Sequence, residues 1–87
     1  MLVTVRLFAR LREIAGATDV QLQLSDGATV RDAWNTLVQK HLDMTAFTSS
    51  VSCAVNEDYS RMTATLRDGD EVAFLPPVSG GSVKRVL

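Results

Sequence analysis

Residues that bind metals or form disulfides are scarce in this chain, which has one cysteine and one histidine among its 87 residues. A single cysteine excludes an internal disulfide, and no pair of ligands has the spacing of a zinc site. A reducing, cytoplasmic setting is the simplest one for such a chain. The sequence therefore argues against a metal site and against a disulfide-stabilised secreted domain.

Charge of one sign and long apolar runs are also lacking. The formal net charge is −1, so no strongly basic surface is expected to bind nucleic acid. No apolar run approaches the roughly 20 residues of a membrane span, and residues 1–6 lack the pattern of a signal peptide. What the chain does have is 46% hydrophobic and 22% charged residues, which is the balance of one small globular domain.

Recognisable catalytic motifs are missing as well. The chain has no Ser–His–Asp set, no phosphate-binding glycine loop and no dinucleotide fingerprint. His41 is expected near a helix C-terminus, where a cation is favoured, and Cys53 is expected to be a small buried apolar residue. Asp68 and Asp70 flank a turn glycine and are interpreted as turn residues. The chain is therefore predicted to be acted upon by other proteins rather than to catalyse a reaction.

Alternation of apolar and polar residues is the main structural signal in the chain. It predicts strands over residues 2–8, 20–24, 51–55 and 70–75, with a weak strand near residues 62–66. Residues 10–15 are predicted to form a short helix that ends at Gly16. Apolar residues at helical spacing predict one long helix over residues 30–41, capped by Thr29 and Asp32.

Strands grouped around a single long helix indicate the α+β class, with the helix packed across a mixed sheet. The first and last strands are the most apolar and are therefore placed side by side at the centre. A crossover through the helix makes this pair parallel, which is the ubiquitin-like β-grasp arrangement. The predicted core consists of Val3, Val5, Leu7, Val20, Leu22, Val30, Trp34, Leu37, Val38, Val55, Val72 and Phe74.

The stretch at residues 75–81, Leu-Pro-Pro-Val-Ser-Gly-Gly, stands out near the end of the chain. Proline ends the last predicted strand because it has no N–H for the ladder, and two prolines form a stiff spacer. The serine and glycines that follow have a thin, conformationally free backbone. Two interpretations stand: an ordinary Pro/Gly loop, or a projecting tail that enters a narrow channel in another protein.

Several segments resemble the small subunit of molybdopterin synthase (MoaD), a family of β-grasp sulfur carriers. The similar segments are residues 5–16, 29–34, 54–56 and 66–81. The last is the most specific, because a Gly-Asp-Glu-Val-Ala strand followed by Pro-Pro-Val-Ser-Gly-Gly is an uncommon combination. Thiamine-pathway carriers share the fold and the Gly-Gly end, but they are usually shorter and lack the Pro-Pro-Val-Ser stretch.

The resemblance implies a sulfur carrier in molybdenum cofactor (molybdopterin) biosynthesis. In the family, an E1-like enzyme uses ATP to adenylate the C-terminal glycine, which is then converted to a thiocarboxylate. The tail enters the large subunit (MoaE) and gives its sulfur to the pterin precursor there. By resemblance, Gly81 is the activated residue and Gly80 is its slim neighbour. The chain itself is then a non-catalytic sulfur-donating subunit that binds no cofactor.

An exposed apolar patch for these partners is expected on the sheet face opposite the helix. Alternation places Phe8 on that face, with Leu75 on the adjacent last strand and Tyr59 nearby. Such a patch on a small protein usually marks an interface. Arg12 is expected to supply a salt bridge at its rim. The remaining predicted partner-binding residues belong to the tail and are Pro76, Pro77, Val78 and Ser79.

The chain departs from the family pattern after Gly81, where family members normally end. Residues 82–87 follow it, and a glycine inside a peptide bond has no free carboxylate to adenylate. We predict a carrier domain over residues 1–81, with residues 82–87 either removed or the start of a fused partner domain. The alternatives are a thiamine-pathway sulfur carrier, a ubiquitin-like protein modifier whose Gly81 forms an amide with a lysine, and a β-grasp interaction module without carrier function.

Overall fold

Hydrophobic alternation and helix caps set the limits of most elements in the computed structural model, which describes residues 1–77. In chain order, the elements are β1 (Leu2–Leu7), α1 (Ala9–Ala15), β2 (Asp19–Gln23), α2 (Val30–Lys40), a 3₁₀ helix (Leu42–Phe47), β3 (Ser52–Val55), β4 (Asp58–Ser60) and β5 (Glu71–Leu75). The strand and helix order agrees with the predicted α+β class.

The five strands of residues 1–77 form one mixed sheet in the order β2-β1-β5-β3-β4. The first and last strands are parallel neighbours, with Val5 opposite Val72 and Leu7 opposite Phe74. The other pairs are antiparallel. The predicted central pair is therefore confirmed. Because β1 and β5 run in the same direction, their C-terminal ends reach the same edge of the molecule.

The long helix α2 begins at a capping box, as predicted. The Oγ1 of Thr29 accepts a hydrogen bond from the backbone N–H of Asp32 at 3.3 Å, and Asp32 Oδ2 accepts one from the Thr29 N–H at 2.8 Å. The helix is one residue shorter than predicted, because His41 is its C-terminal cap. The His41 N–H still donates to the carbonyl of Leu37 at 2.8 Å.

Trp34 is the centre of the contact between α2 and the sheet. Its side chain is 1% exposed, and its ring centroid lies 5.0 Å from that of Phe74 on β5 with the planes tilted by 59°. The indole Nε1 donates to Thr48 Oγ1 at 3.0 Å, so its polar end is satisfied inside the fold. The predicted core position of Trp34 is confirmed.

The core differs from the prediction at its margins. Val20, Val38 and Val55 are half-buried and pack against the core rather than lying inside it. Seven further residues are buried: four lie in short helices or loops, where periodicity is too short to interpret, two lie on β3 and one lies on α2. These additional buried residues are Leu11, Ala28, Ala33, Met44, Cys53, Ala54 and Leu66.

The prediction of a weak strand near residues 62–66 is wrong. The fourth strand is β4, which lies earlier in the chain, and residues 62–66 lie at the start of α2. Asn56 and Glu57, with φ of 51° and 75°, make a two-residue hairpin turn, so pairing with β3 resumes at once. The carbonyl groups of Ala64 and Met62 accept hydrogen bonds from the first and second N–H groups of α2, at 2.9 and 2.8 Å. This segment therefore closes the helix start instead of extending the sheet.

The short helix α1 also ends where the sequence predicts. Gly16 adopts a left-handed φ of 72°, and its N–H donates to the carbonyl of Arg12 at 2.9 Å. A glycine takes this conformation without a steric penalty, which explains the stop. None of the helices within residues 1–77 has the length and apolar character that a membrane crossing requires.

Candidate partner-binding site

A shallow groove of about 310 Å³, which we call the apolar groove, crosses the sheet face opposite α2. The predicted patch residues Phe8, Tyr59 and Leu75 all line it. Tyr59 is 83% exposed and Phe8 is 36% exposed, so their rings are available to a partner. The other lining residues are Arg6, Ala54, Glu57, Glu71 and Ala73. The structure thus brings together three side chains that the sequence places on three different strands or strand ends.

Strand register explains why this face is concave. Arg6 is opposite Ala73, Ala73 is opposite Ala54, and Ala54 is opposite Tyr59, which makes one row across four strands. The two central positions of the row hold alanine, whereas its ends hold long side chains. The methyl groups leave a low floor between higher walls. An apolar side chain of a partner can therefore be buried in this row.

The charges in the apolar groove are unevenly compensated. Arg6 Nε lies 3.3 Å from Asp19 Oδ1, and Arg6 Nη1 lies 3.2 Å from Glu71 Oε2, so its guanidinium links three strands. Its Cζ is also 6.0 Å from the centroid of the Phe8 ring. Glu57 forms no salt bridge within residues 1–77. The end of the groove next to Tyr59 is therefore acidic.

Backbone strain is concentrated beside the apolar groove. Within residues 1–77, the non-glycine residues with positive φ are Ala9, Asn56 and Glu57, at 52°, 51° and 75°. Ala9 follows Phe8 directly, and the other two form the turn that leads to Tyr59. Such conformations cost free energy in non-glycine residues and are typical of functional surfaces. The turns that present both aromatic rings are thus maintained against a local steric cost.

The tail begins at this groove. Strand β5 ends at Leu75, which is opposite Ser52 in the register. Pro76 is half-buried and Pro77 is exposed, and the strand stops where proline removes the N–H donor, as predicted. The predicted tail residues Val78, Ser79, Gly80 and Gly81 lie outside the described residues.

Arg12 does not belong to the groove. It is exposed on α1 and does not line the groove, and within the described part of the chain it forms no salt bridge. The salt bridge to a partner that the sequence suggests for Arg12 stays a prediction.

Cys53 and His41 have structural positions, as the sequence predicts. Cys53 is 4% exposed, and its Sγ donates to the carbonyl of Ser60 at 3.3 Å. Burial raises the pKa of the Cys53 thiol, which keeps it in the unreactive protonated form. His41 caps α2. Residues 1–77 contain no group of three or more His, Cys, Asp or Glu residues that could hold a metal ion.

The family of this chain follows from its similarity to known proteins. The family model described as the ThiS family matches residues 5–81, which is most of the chain and includes both tail glycines. This chain belongs to the ThiS family.

Three relatives of this ThiS-family chain are informative. The molybdopterin synthase sulfur carrier subunit of Arabidopsis thaliana is 38% identical over 79 residues, covering 91% of this chain and 82% of the relative. Small archaeal modifier protein 1 of Haloferax volcanii is 34% identical over 84 residues, covering 87% and 97%. A chain in the BexX/CysO complex of Amycolatopsis orientalis is similar at 26% identity and a TM-score of 0.68, covering 91% and 99%.

The β-grasp class is confirmed by structural similarity. The crystal structure of SAMP1 from Haloferax volcanii superposes with a TM-score of 0.83 at 30% identity, and the match covers 93% of this chain and 100% of that chain. The ThiS-family chain therefore has the ubiquitin-like mixed sheet that its strand pattern predicts.

Five groove residues of the ThiS-family chain were not predicted as site residues: Arg6, Ala54, Glu57, Glu71 and Ala73. Two facts together could have identified most of them: the alternation of side chains along each strand, and the order of the strands in the sheet. Once β1 and β5 are adjacent and parallel, Arg6 and Ala73 must share the face of Phe8. Glu57 could not be found in this way, because the hairpin that places it depends on a turn without the usual glycine.

Proposed function

We propose that this ThiS-family chain is a molybdopterin synthase sulfur carrier that binds the large subunit of the synthase through the apolar groove. The observation that carries the proposal is the position of the groove at the end of β5. Leu75 lines the groove, and Pro76 and Pro77 follow it directly. A partner that covers the groove therefore lies where the tail leaves the sheet.

The relatives support this function. The Arabidopsis relative is a molybdopterin synthase sulfur carrier subunit, and the Amycolatopsis relative is part of a two-protein complex. The tail is also anchored well, because β5 is paired with β1 on one side and β3 on the other. The six residues 76–81 span at most about 20 Å when extended. The reaction at Gly81 is thus confined to a short distance from the groove.

The proposed chemistry takes place at a free Gly81 carboxylate. A carboxylate oxygen attacks the α-phosphorus of ATP on an E1-like enzyme, and pyrophosphate leaves. A sulfur donor at the oxidation level of sulfide then attacks the carbonyl carbon, and AMP leaves, which gives the thiocarboxylate. In the large subunit, the sulfur displaces an oxygen leaving group of the pterin precursor, and water cleaves the acyl–sulfur bond to restore the carboxylate.

This chain contributes position rather than catalytic groups to these steps. Glycine at residues 80 and 81 leaves the reacting carbonyl open to approach from both sides. In this proposal the chain itself binds no cofactor, since the activating enzyme binds the ATP. The chain functions in the cytoplasm.

The direct test of the function is intact mass. A chain that ends at Gly81 is incubated with the activating enzyme, ATP and a sulfide donor, and then with the large subunit and the pterin precursor. We expect the mass to rise by one oxygen-to-sulfur exchange and to return to its starting value as the dithiolene product forms. A reaction without ATP is the control. A mass that never changes in the complete reaction would contradict the sulfur-carrier function.

A second candidate function is protein modification, which the likeness to small archaeal modifier protein 1 favours. Here the Gly81 adenylate is attacked by a lysine amine, and AMP leaves as an amide forms. The same mass measurement separates the two functions. A carrier gains one sulfur atom in place of oxygen, whereas a modifier appears as a conjugate whose mass exceeds its own by that of a whole protein.

The role of the groove is tested by replacement of Phe8. We expect Phe8→Ala to weaken binding of the large subunit by about 10- to 100-fold, because an aromatic residue at the centre of an interface carries much of its binding energy. The melting temperature should change little, since Phe8 lies at the surface of this face and is 36% exposed. Binding is measured by titration calorimetry and stability by thermal denaturation.

Leu42→Ala is the matched control for Phe8→Ala. Leu42 is also a large exposed apolar residue, at 74%, but it lies on the 3₁₀ helix and does not line the groove. Binding should be unaffected by this change. A large fall in melting temperature for Phe8→Ala with unchanged binding would show that Phe8 stabilises the fold and does not contact the partner.

A further inference from the structure

A second groove, which we call the basic groove, lies at the sheet edge on the other side of Tyr59. Its volume is about 540 Å³. Two arginines line it, Arg31 at the start of α2 and Arg61 just after β4, together with the hydroxyl-bearing residues Ser52, Ser60 and Thr63. Tyr59 lines both grooves. The exposed ring of Tyr59 is therefore a ridge that separates them.

Charge in the basic groove is uncompensated. Among residues 1–77, no carboxylate lines it, although the chain as a whole has 10 acidic and 9 basic residues. Neither Arg31 nor Arg61 forms a salt bridge within residues 1–77. The apolar groove on the opposite side contains Glu57 and Glu71 against Arg6. The sign of the charge therefore reverses across Tyr59.

The backbone at the start of α2 argues against a small anion as the occupant. A free phosphate at a helix start binds to unpaired backbone N–H groups. The four N–H groups at the start of α2 already donate hydrogen bonds within the chain. They belong to Thr29, Val30, Arg31 and Asp32, and their acceptors are Asp32 Oδ2, the Ala64 carbonyl, the Met62 carbonyl and Thr29 Oγ1. Within residues 1–77, the donor that remains at this helix start is the exposed guanidinium of Arg31. The basic groove also runs along β4, which is the edge strand of the sheet. An extended protein segment has room to lie along this edge.

We propose that the basic groove binds an acidic surface segment of the same large subunit that covers the apolar groove. The proposal rests on the proposed function, because it takes the large subunit as the partner. Carboxylates of that segment pair with Arg31 and Arg61, and the partner encloses the Tyr59 ridge from both sides. The opposite charges on the two sides fix the orientation of docking, since a partner turned by half a rotation would face like charges.

The test compares two double variants of the chain that ends at Gly81, which is the form used in the test of sulfur transfer, and the two variants have the same net charge. Arg31→Gln/Arg61→Gln removes both guanidiniums of the basic groove. Lys40→Gln/Arg67→Gln removes two exposed cations that line neither groove. Association with the large subunit is measured by stopped-flow fluorescence at low and high salt. We expect the first variant to associate about tenfold more slowly than the second at low salt, with the difference lost near 1 M salt because charges are screened there.

The outcomes separate the two proposals. If wild-type chain binds the large subunit and both double variants associate at the same rate, the inference about the basic groove is overturned and the proposed function stands. If the wild-type chain does not bind the large subunit at all, the proposed function and the partner named for the basic groove both fall. Thermal denaturation of each variant confirms that these surface changes leave the fold intact.

Discussion

A chain that ends at Gly81 is expected to release pyrophosphate and yield a thiocarboxylate, whereas a chain that continues to Leu87 is expected to do neither. The difference should be close to all-or-none, because the carboxylate that attacks ATP does not exist while Gly81 is in a peptide bond. The two chains are incubated with the same activating enzyme, ATP and sulfide donor, and pyrophosphate and intact mass are measured. Addition of a protease that trims the longer chain to Gly81 should restore both signals.

A chain that ends at Gly80 is the matched control. It has a free carboxylate on glycine, but its tail is one residue, or about 3.5 Å, shorter than that of the chain ending at Gly81. We expect it to react poorly, which would separate the need for a free terminus from the need for correct reach. Equal activity of an uncleaved chain that ends at Leu87, with its mass verified after the reaction, would exclude the mechanism and favour an interaction module.

Trp34→Ala is expected to lower the free energy of unfolding by about 3–5 kcal/mol, as other truncations of large core residues do. The indole fills the contact between α2 and β5, 5.0 Å from the ring of Phe74. Its removal leaves a cavity and also leaves Thr48 without the Nε1–H that it accepts. Since the whole stability of a small domain is about 5–15 kcal/mol, many copies of this variant should be unfolded at 37 °C. Urea denaturation followed by circular dichroism measures the change.

Trp34→Phe is the control for this variant. Phenylalanine retains most of the buried aromatic volume but has no N–H donor, so it should lose less stability than alanine does. A loss below about 1 kcal/mol for Trp34→Ala would contradict the burial of the indole, since core truncations of this size cost more.

The parts of the fold that could be predicted are those in which several residues repeat one pattern. The stripe on α2 predicts its buried face, and four residues of that stripe are buried in the structure: Val30, Ala33, Trp34 and Leu37. The apolar runs of β1 and β5 place both strands at the centre. In each case, four or more residues carry the same signal, so one exception does not change the outcome.

The parts that were missed have too few residues for a pattern. Strand β4 has three residues, and its hairpin uses Glu57 where glycine is usual. Leu11, Met44 and Leu66 are buried by contacts with distant parts of the chain, which local periodicity does not report. The apolar groove was predicted from its large side chains, whereas its alanine floor depends on strand register. Pairing between strands therefore had to be known before the complete groove could be described.

The central position of β5 has a consequence for how the protein folds. A chain that lacks residues 71–75 leaves β1 and β3 with open edges, because β5 is the strand that pairs with both. Such edges are templates for aggregation, and pairing of the first strand with the last requires slow closure of a long loop. The apolar groove is built from residues on both sides of β5 and from β5 itself. A partner that recognises this groove therefore binds chains in which β5 has already paired with both of its neighbours, so partner binding follows completion of the sheet.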